Sequence, residues 1–546
     1  MLIRLIRKFV YPAAAALLFG AALVASLFFN GVRVEYFSLS LVILTGLFFI
    51  VLWRGYSRGL QIPKTPLAIA LTLFWSWLAV TQLWSPAPYV SMVNFWWVGG
   101  AVLVFWLMTL LPEDNHPYPG TYIVVLSIGI VLALLSFYQQ LHLVVQAQST
   151  FLTRNSHAGL MCLIAIPASS YFLLAQGQSR SAFWTSRILG PVLFVLYFSI
   201  ALTSSRGATV GLLMGLAVVL WLAYGRIPRV RLAVFLGIVV FAYVAANLQL
   251  QGGVGARLGT LTTPTTADPS RLFIWQQSWQ MLMDAPWWGV GLGTYWLHWP
   301  PYRHPQDDTA GFYAHNDYLQ IWIETGLPGL LLLLGIYVAV LVTFIRLLRH
   351  AHQHPAVIIE SAGLFGGLLA IAVHTFFDFH LYIHPIQLAM GLVLVRLHTL
   401  YLKHVPADTF VVTPASRIAP RPYRVISFLV VLLPLIYFAA LGASTMLTYK
   451  ARELSAQGKW VEASVALSRA AQLMPTSDLA LISHADLLRQ ALGQLPPSGG
   501  DADRRTLYRE ALALLDDAEK VNPLRSQLFF VRGLLYQQAP DLTGPD

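Results

Sequence analysis

Residues 315–329 read H-N-D-Y-L-Q-I-W-I-E-T-G-L-P-G. They join the longest polar loop of the chain to a very apolar segment, 327–345, that is long enough to cross a bilayer. An imidazole, an amide and two carboxylates (His315, Asn316, Asp317 and Glu324) therefore stand at a membrane surface. Gly326, Pro328 and Gly329 predict a break between a short surface helix and a spanning one. Proline suits the first turn of that second helix. Polar groups so close to hydrocarbon are costly and mark a site, though not by themselves a reaction.

Outward from this stretch, the rest of the chain has the composition of an all-α, polytopic membrane helical bundle. Of its 546 residues 57% are hydrophobic and 11% charged, and the mean hydropathy is +0.63, far outside the range of a soluble domain. Thirteen spanning segments are expected, near 10–29, 36–53, 66–83, 93–111, 121–146, 157–176, 188–203, 207–224, 232–249, 327–345, 356–377, 384–400 and 425–443. The first has no small-residue cleavage site after it and reads as an anchor. With the N-terminus inside, the inner ends collect Arg4, Arg7, Lys8, Arg54, Arg58, Lys64, Arg226, Arg229, Arg231, Arg346, Arg349, Lys403 and Arg417, among others. This is the positive-inside pattern, and an odd number of spans puts residues 444–546 outside.

The formal net charge of +11 raises nucleic acid as a partner, but its distribution excludes that reading. Acidic and basic residues nearly balance after residue 446, so the excess lies in the membrane part, where it sets topology. The single cysteine, Cys162, lies in an apolar run, which excludes a disulfide framework and a cysteine metal site.

The basic residues expected outside, before the last helix, are Arg33, Arg154, Arg206, Arg257, Arg271 and Arg303, and they run against the trend. Arg206 lies in T-S-S-R-G, a short connection that opens a helix. Helix N-termini present free N–H groups and partial positive charge, so an arginine there completes an anion site. Arg154, in T-R-N-S-H, is placed similarly. The bland alternative is an interfacial arginine that holds only a lipid headgroup. The loop 250–318 is too long to be a passive connector. Asp268-Pro269-Ser270 is a helix start signal, and the helix Arg271–Asp284 should end before Pro286. Leu272, Trp275, Trp279 and Leu282 give it one apolar stripe, fit to lie on the membrane or to pack on the bundle. G-V-G-L-G-T at 289–294 has no strand before it and reads as a tight loop rather than a dinucleotide fingerprint.

Further on, His374/Asp378 and His380/His384 are i,i+4 pairs. Such pairs suit a metal or, more simply, interfacial hydrogen bonds, and Pro385 breaks any helix that carries His384. The tail changes to Ala/Leu-rich and charged. A470-x-x-L473-x-P475 returns as A518-x-x-V521-x-P523, and G-K-W-V-E-A at 458–463 resembles the turn of a tetratricopeptide repeat. The P-P-S-G-G-D insertion at 496–501 stretches the spacing beyond the usual repeat length. Residues 446–546 are therefore expected to form a small helical domain, a stabilising cap or a docking platform for a protein partner, beside a membrane domain over 1–445.

H-N-x9-G-x-x-G, here His315, Asn316, Gly326 and Gly329, resembles the signature of bacterial O-antigen ligases. The wider O-antigen ligase/polymerase superfamily also shows an arginine in the large outer loop (here S-R-L-F-I-W, Arg271), a short S-R-G connection (Ser205-Arg206-Gly207) and a D-F-x-L-x-I-x-P-like run from Asp378 to Pro385. The resemblance implies a glycosyltransferase at the periplasmic face of the bacterial inner membrane, with no cofactor and no essential metal. Its donor would be a glycan on undecaprenyl diphosphate, and its acceptor lipid A core, another glycan or a protein hydroxyl. On this view the arginines hold the diphosphate and His315 activates the acceptor. The substrate contacts are expected from Arg206, Arg271, Arg154, Arg303, Asn316, Glu324 and Asp378. An imidazole, with an ordinary pKa around 6.5, suits a general base near neutral pH; Asp317 and Glu324 are rival bases. The extra span and tail depart from simple ligases and are more like protein O-oligosaccharyltransferases and some exopolysaccharide polymerases. The non-enzyme alternative is a transporter of lipid-linked sugar, which should bury charge midway along its spans. A reporter fused after Asp546 should be active only outside the cytoplasm; activity confined to the cytoplasm would overturn the topology.

Overall fold

The computed structural model describes residues 11–58, 60–111, 118–143, 146–175, 180–259, 269–305, 307, 309–406, 410–413, 420–495 and 501–542. Arg4, Arg7, Lys8, Asp268, Arg417 and residues 496–500 of the tail insertion lie outside the described residues.

Apolar runs of bilayer length become helices because hydrocarbon offers no partner for a free backbone N–H or C=O. In order these are α1 (Tyr11–Leu27), α2 (Val34–Arg58), α3 (Pro66–Val80), α4 (Pro88–Val98), α5 (Gly100–Thr109), α6 (Tyr118–Tyr138), α7 (Arg154–Leu174), α8 (Arg180–Leu202), α9 (Arg206–Ala223) and α10 (Arg229–Gln249). The outer loop carries α11 (Gly253–Gly259) and α12 (Pro269–Asp284), followed by α13 (Asp317–His350), α14 (Pro355–His374), α15 (His384–His404) and α16 (Pro420–Ala456). Among the described residues eleven helices are long and apolar enough to cross a membrane, or twelve if α4 and α5, bent by 50°, count as one span. The shorter apolar α1 fills the remaining expected segment, and the chain is a multi-pass membrane protein. Two short strands, β1 (Leu60–Pro63) and β2 (Phe410–Thr413), pair antiparallel at the end opposite the outer loop.

The interior is organised on α7, 89% of whose apolar window is buried. α14 packs on it and on α9 through close backbone approach: a Cβ at Gly215 would lie 2.4 Å from the Gly366 carbonyl. Small residues at a helix contact inside a membrane serve this purpose, and here they fix the start of α9 beside the end of α14.

The break in α13 is at Gly326, with φ 71° and ψ 179°, a region open in practice only to glycine. A Cβ there would lie 2.1 Å from the Trp287 carbonyl. Pro328 has no N–H for the Glu324 carbonyl, and the Leu327 N–H turns away to the Pro286 carbonyl at 3.1 Å. The freed carbonyls are then satisfied from the loop. Val290 N–H donates to Ile323 at 2.9 Å and Gly291 N–H to Glu324 at 3.0 Å, while Trp77 Nε1 donates to Thr325 at 2.9 Å. The G-V-G-L-G-T segment is thus the backbone partner of a broken helix.

The Glu324 side chain completes the fastening. It is fully buried and accepts from Gly293 N–H at 2.7 Å, Tyr295 N–H at 3.2 Å, Gln320 Nε2 at 3.2 Å and the Tyr382 hydroxyl at 2.6 Å. A carboxylate suits this place because it is acceptor-only, and an amide would turn an NH2 towards a donor.

α12 forms as expected, but its buried face is Ile274, Ser278, Met281 and Leu282, packed on Tyr295, Trp299, Ala314 and Ile323. Of the expected stripe Leu272, Trp275, Trp279 and Leu282, only Leu282 lies at the centre of this face. Leu272 and Trp279 are half exposed, and Trp275 sends its indole N–H to the Ala314 carbonyl at 3.0 Å. The tail continues from α16 into α17 (Trp460–Leu473), α18 (Asp478–Leu492), α19 (Asp501–Val521) and α20 (Ser526–Gln538). α17 and α19 both end two residues before a proline, as the repeated motif requires. The tail lies at the same end as the outer loop, where the Arg525 guanidinium stands 4.8 Å over the Trp296 ring.

Gly326→Ala should lower the melting temperature in detergent sharply, because an alanine held in that region alone costs about 1–3 kcal/mol before the clash with Trp287. Glu324→Gln should destabilise by about 1–3 kcal/mol through one mismatched buried donor. Unchanged melting in both variants would remove the break as a fixed element.

Candidate functional site

Three helices begin at one place. α7 starts at Arg154 with Thr153 capping it, Oγ1 to Ser156 N–H at 3.1 Å. α9 starts at Arg206 with Ser205 as its cap, 3.4 Å from the Ala208 N–H, and α12 carries Arg271 in its first turn. Their N-termini and guanidiniums meet in a cavity of about 340 Å³, whose wall includes Arg154, Asn155, Arg206, Arg257, Arg271 and His374. No carboxylate lines it among the described residues. Three positive helix ends and four arginines make it an anion site, and the fork of each guanidinium matches phosphoryl oxygens.

Arg206, Arg271 and Arg154 are thus brought together. Arg257, at the end of α11, belongs with them and was not singled out from the sequence, where its one signal was a basic residue on the wrong side of the charge pattern. Arg303 is a correction. It is absent from the wall and ties its own loop, with Nε 3.1 Å from Asp307 Oδ2 and Nη2 3.1 Å from the Asp307 carbonyl.

His315 stands beside this cavity rather than in its wall. Its backbone is left-handed, φ 51°, and its ring meets Phe379 edge-on at 5.1 Å. Nδ1 lies 3.7 Å from Asp378 Oδ1, with the histidine side chain 23% exposed and the aspartate almost wholly buried. Asp378 also accepts from its neighbour's Phe379 N–H at 3.0 Å and from Asn155 Nδ2 at 2.5 Å. Burial alone would push the Asp378 carboxyl up, but the His315 side chain beside it and the charges of His380 and Arg271 hold it well below the usual carboxylate range. It is charged throughout the neutral range.

The other polar residues of the motif are structural. Asn316 caps α13, its Oδ1 accepting from Leu319 N–H at 3.1 Å, which accounts for a residue expected to touch substrate. Glu324, expected as a substrate contact or a rival base, is occupied by its four donors. Asp317 is buried, its N–H on the Thr375 carbonyl at 3.1 Å and its Oδ2 accepting from Leu381 N–H at 2.8 Å, so it carries the 375–381 turn to His315. The i,i+4 pairs fall apart because α14 ends at His374. His384 turns to Ser40 at 3.4 Å, and His380 to the Asn155 carbonyl at 3.3 Å. Among the described residues no three His, Cys, Asp or Glu side chains are grouped to hold a metal.

Comparison with known proteins bears on residues 191–334, which match the family model described as O-antigen ligase. That span includes Arg206, Arg257, Arg271, His315 and Glu324. Over 183 residues the chain is 29% identical to the exopolysaccharide production protein ExoQ of Rhizobium meliloti (strain 1021), covering 32% of this chain and 40% of that relative.

Inorganic pyrophosphate should bind the purified protein with an affinity that falls steeply with salt. Arg206→Lys and Arg257→Ala should each weaken it about tenfold or more, because a point charge does not replace the fork, whereas Arg303→Ala should change it less than twofold. Calorimetric titration reads all three, and an unaltered affinity in Arg206→Lys would take the Arg206 fork out of the site.

Proposed function

We propose that this chain is a member of the O-antigen ligase superfamily and that it transfers a glycan from undecaprenyl diphosphate to an acceptor hydroxyl at the periplasmic face of the bacterial inner membrane. The observation that carries this reading is the arginine cavity lying against the His315–Asp378 pair. A lipid diphosphate is bulky, doubly anionic and held beside hydrocarbon, so it calls for several cations at one end of a membrane bundle. Arg154, Arg206, Arg257 and Arg271 bind the diphosphate and stabilise the charge that grows on it as the sugar leaves. His315 takes the proton of the acceptor hydroxyl while that oxygen attacks the anomeric carbon. The bond from that carbon to the diphosphate oxygen breaks, and undecaprenyl diphosphate departs with the bonding pair. Attack opposite the leaving group inverts the anomeric centre. Asp378 keeps the imidazole turned to the acceptor and stabilises its protonated form, as a buried carboxylate does for a catalytic histidine. With four guanidiniums in place of a metal's charge, the transfer is read as metal-independent.

Within this chemistry the first reading is a ligase-type step of cell-surface polysaccharide assembly, with lipid A core as acceptor. The printed name of the curated relative, an exopolysaccharide production protein, favours a second, in which the acceptor is another lipid-linked glycan and the enzyme is a polymerase. The tail over 446–546, read as a tetratricopeptide-like periplasmic domain, supports a protein partner or protein acceptor. A transporter is disfavoured because the cationic cavity sits at helix ends rather than midway along the spans. Glycan analysis of a deletion strain separates these outcomes: polymer missing from the core, single units left on the core, or an unglycosylated protein.

Removing a general base typically costs about 10²–10⁴ in rate. His315→Ala should lose turnover on that scale with lipid-linked donor while pyrophosphate affinity is retained. Turnover within a fewfold of wild type in a purified-enzyme assay would sink the base assignment.

A further inference from the structure

The cavity and the base touch through one side chain. Asp378 faces His315 Nδ1 at 3.7 Å and accepts from the Phe379 N–H and from Asn155. Of these partners only Asn155 also lines the cavity. Asn155 follows Arg154 in the first turn of α7, and its carbonyl is held at 3.3 Å from His380 Nε2, so its place is set from both sides. From this geometry we infer that Asn155 is a positioning residue, which orients His315 by pinning Asp378 from the wall of the anion cavity; this rests on the transfer reading above.

The physical argument is the rotation of a carboxylate. With Oδ2 held by the Asn155 amide and Oδ1 by the Phe379 N–H, the plane of Asp378 is fixed and Oδ1 is presented to His315 Nδ1. The hydrogen on Nδ1 then leaves Nε2 as the acceptor nitrogen, because the bond made by one ring nitrogen decides the state of the other. Without the amide, Oδ2 is a buried oxygen with one partner fewer, the carboxylate can turn, and both the tautomer and the aim of the imidazole are released. His315, His380, His374, Arg271 and Asp317 are the charged or titratable groups that face Asp378 among the described residues, and it is Asn155 that donates to Oδ2.

The test uses the full chain in detergent, with Asn155→Ala, Asn155→Asp and Asp378→Asn. Three measurements are made: inorganic pyrophosphate affinity, kcat and KM with lipid-linked donor, and the His315 tautomer by 15N NMR of histidine-labelled protein. Asn155→Ala should reduce kcat about tenfold, leave donor KM and pyrophosphate affinity within about twofold, and change a single His315 tautomer into a mixture. The double variant Asn155→Ala/Asp378→Asn should be no slower than Asp378→Asn alone, since residues acting as a unit are not additive. Asn155→Asp sets two carboxylates face to face; it should be inactive near neutral pH and partly recover on acidification, when the pair shares one proton. The inference is overturned if pyrophosphate affinity falls while kcat holds, if the double variant is additive, or if the His315 tautomer is unchanged in Asn155→Ala. Because the tautomer is read without turnover, it tests Asn155 even if an enzyme indifferent to His315→Ala were to remove the transfer reading.

Discussion

The structure depends on how α13 is allowed to break at the membrane surface. A helix interrupted by Gly326 and Pro328 exposes carbonyls that lipid cannot satisfy, and the loop from Pro286 to Tyr295 exists in its present shape to meet them. Val290 and Gly291 supply backbone donors, and Glu324 draws in Gly293, Tyr295 and Tyr382. The outer loop is therefore bound to the spanning bundle by main-chain bonds on one side and by a buried carboxylate on the other. From that anchor α12 is fixed behind it, and His315 stands between two and three turns ahead of Glu324. A site made from six separate stretches of chain holds together because one of them is tied down so firmly.

The second organising feature is charge collected by topology rather than by sequence neighbourhood. Arg154, Arg206, Arg257 and Arg271 stand on four elements, and three of those elements point a positive N-terminus at the same space. The mutual repulsion of such a group is tolerable at the edge of a bilayer when an anion is to be received there, and among the described residues no acidic side chain joins the wall to dilute the field. A fixed Asp378 beside it supplies the opposite sign where a protonated imidazole would need it.

Much of this was legible in the sequence for reasons that can be named. Hydrophobic runs read as spans because hydrocarbon leaves the backbone no alternative, so the thirteen segments correspond to helices in order. Arg206 and Arg271 stood out because each opens a helix. Arg257 lacked that signature, since it ends a short helix, and only the folded loop brings it round. For Asn316 and Glu324 the sequence showed the chemistry but not the neighbours. Their chemistry suits a substrate, but a side chain's partners depend on the returning chain, and here a capped N–H and four loop donors had the prior claim. On α12 the choice of buried face turned on Tyr295 and Trp299, which arrive from later in the chain, so its own periodicity could not settle it.

One further consequence comes from the backbone at His315. A positive φ is uncommon outside glycine and is tolerated chiefly by asparagine, aspartate and histidine. Of the four residue types that such a position accepts readily, only histidine and aspartate can take up a proton, and aspartate beside Asp378 would be repelled by it. The turn therefore narrows the evolutionary vocabulary of this position almost to a single word. Relatives built on the same turn could change sugar, acceptor or tail freely while finding few substitutes for the histidine.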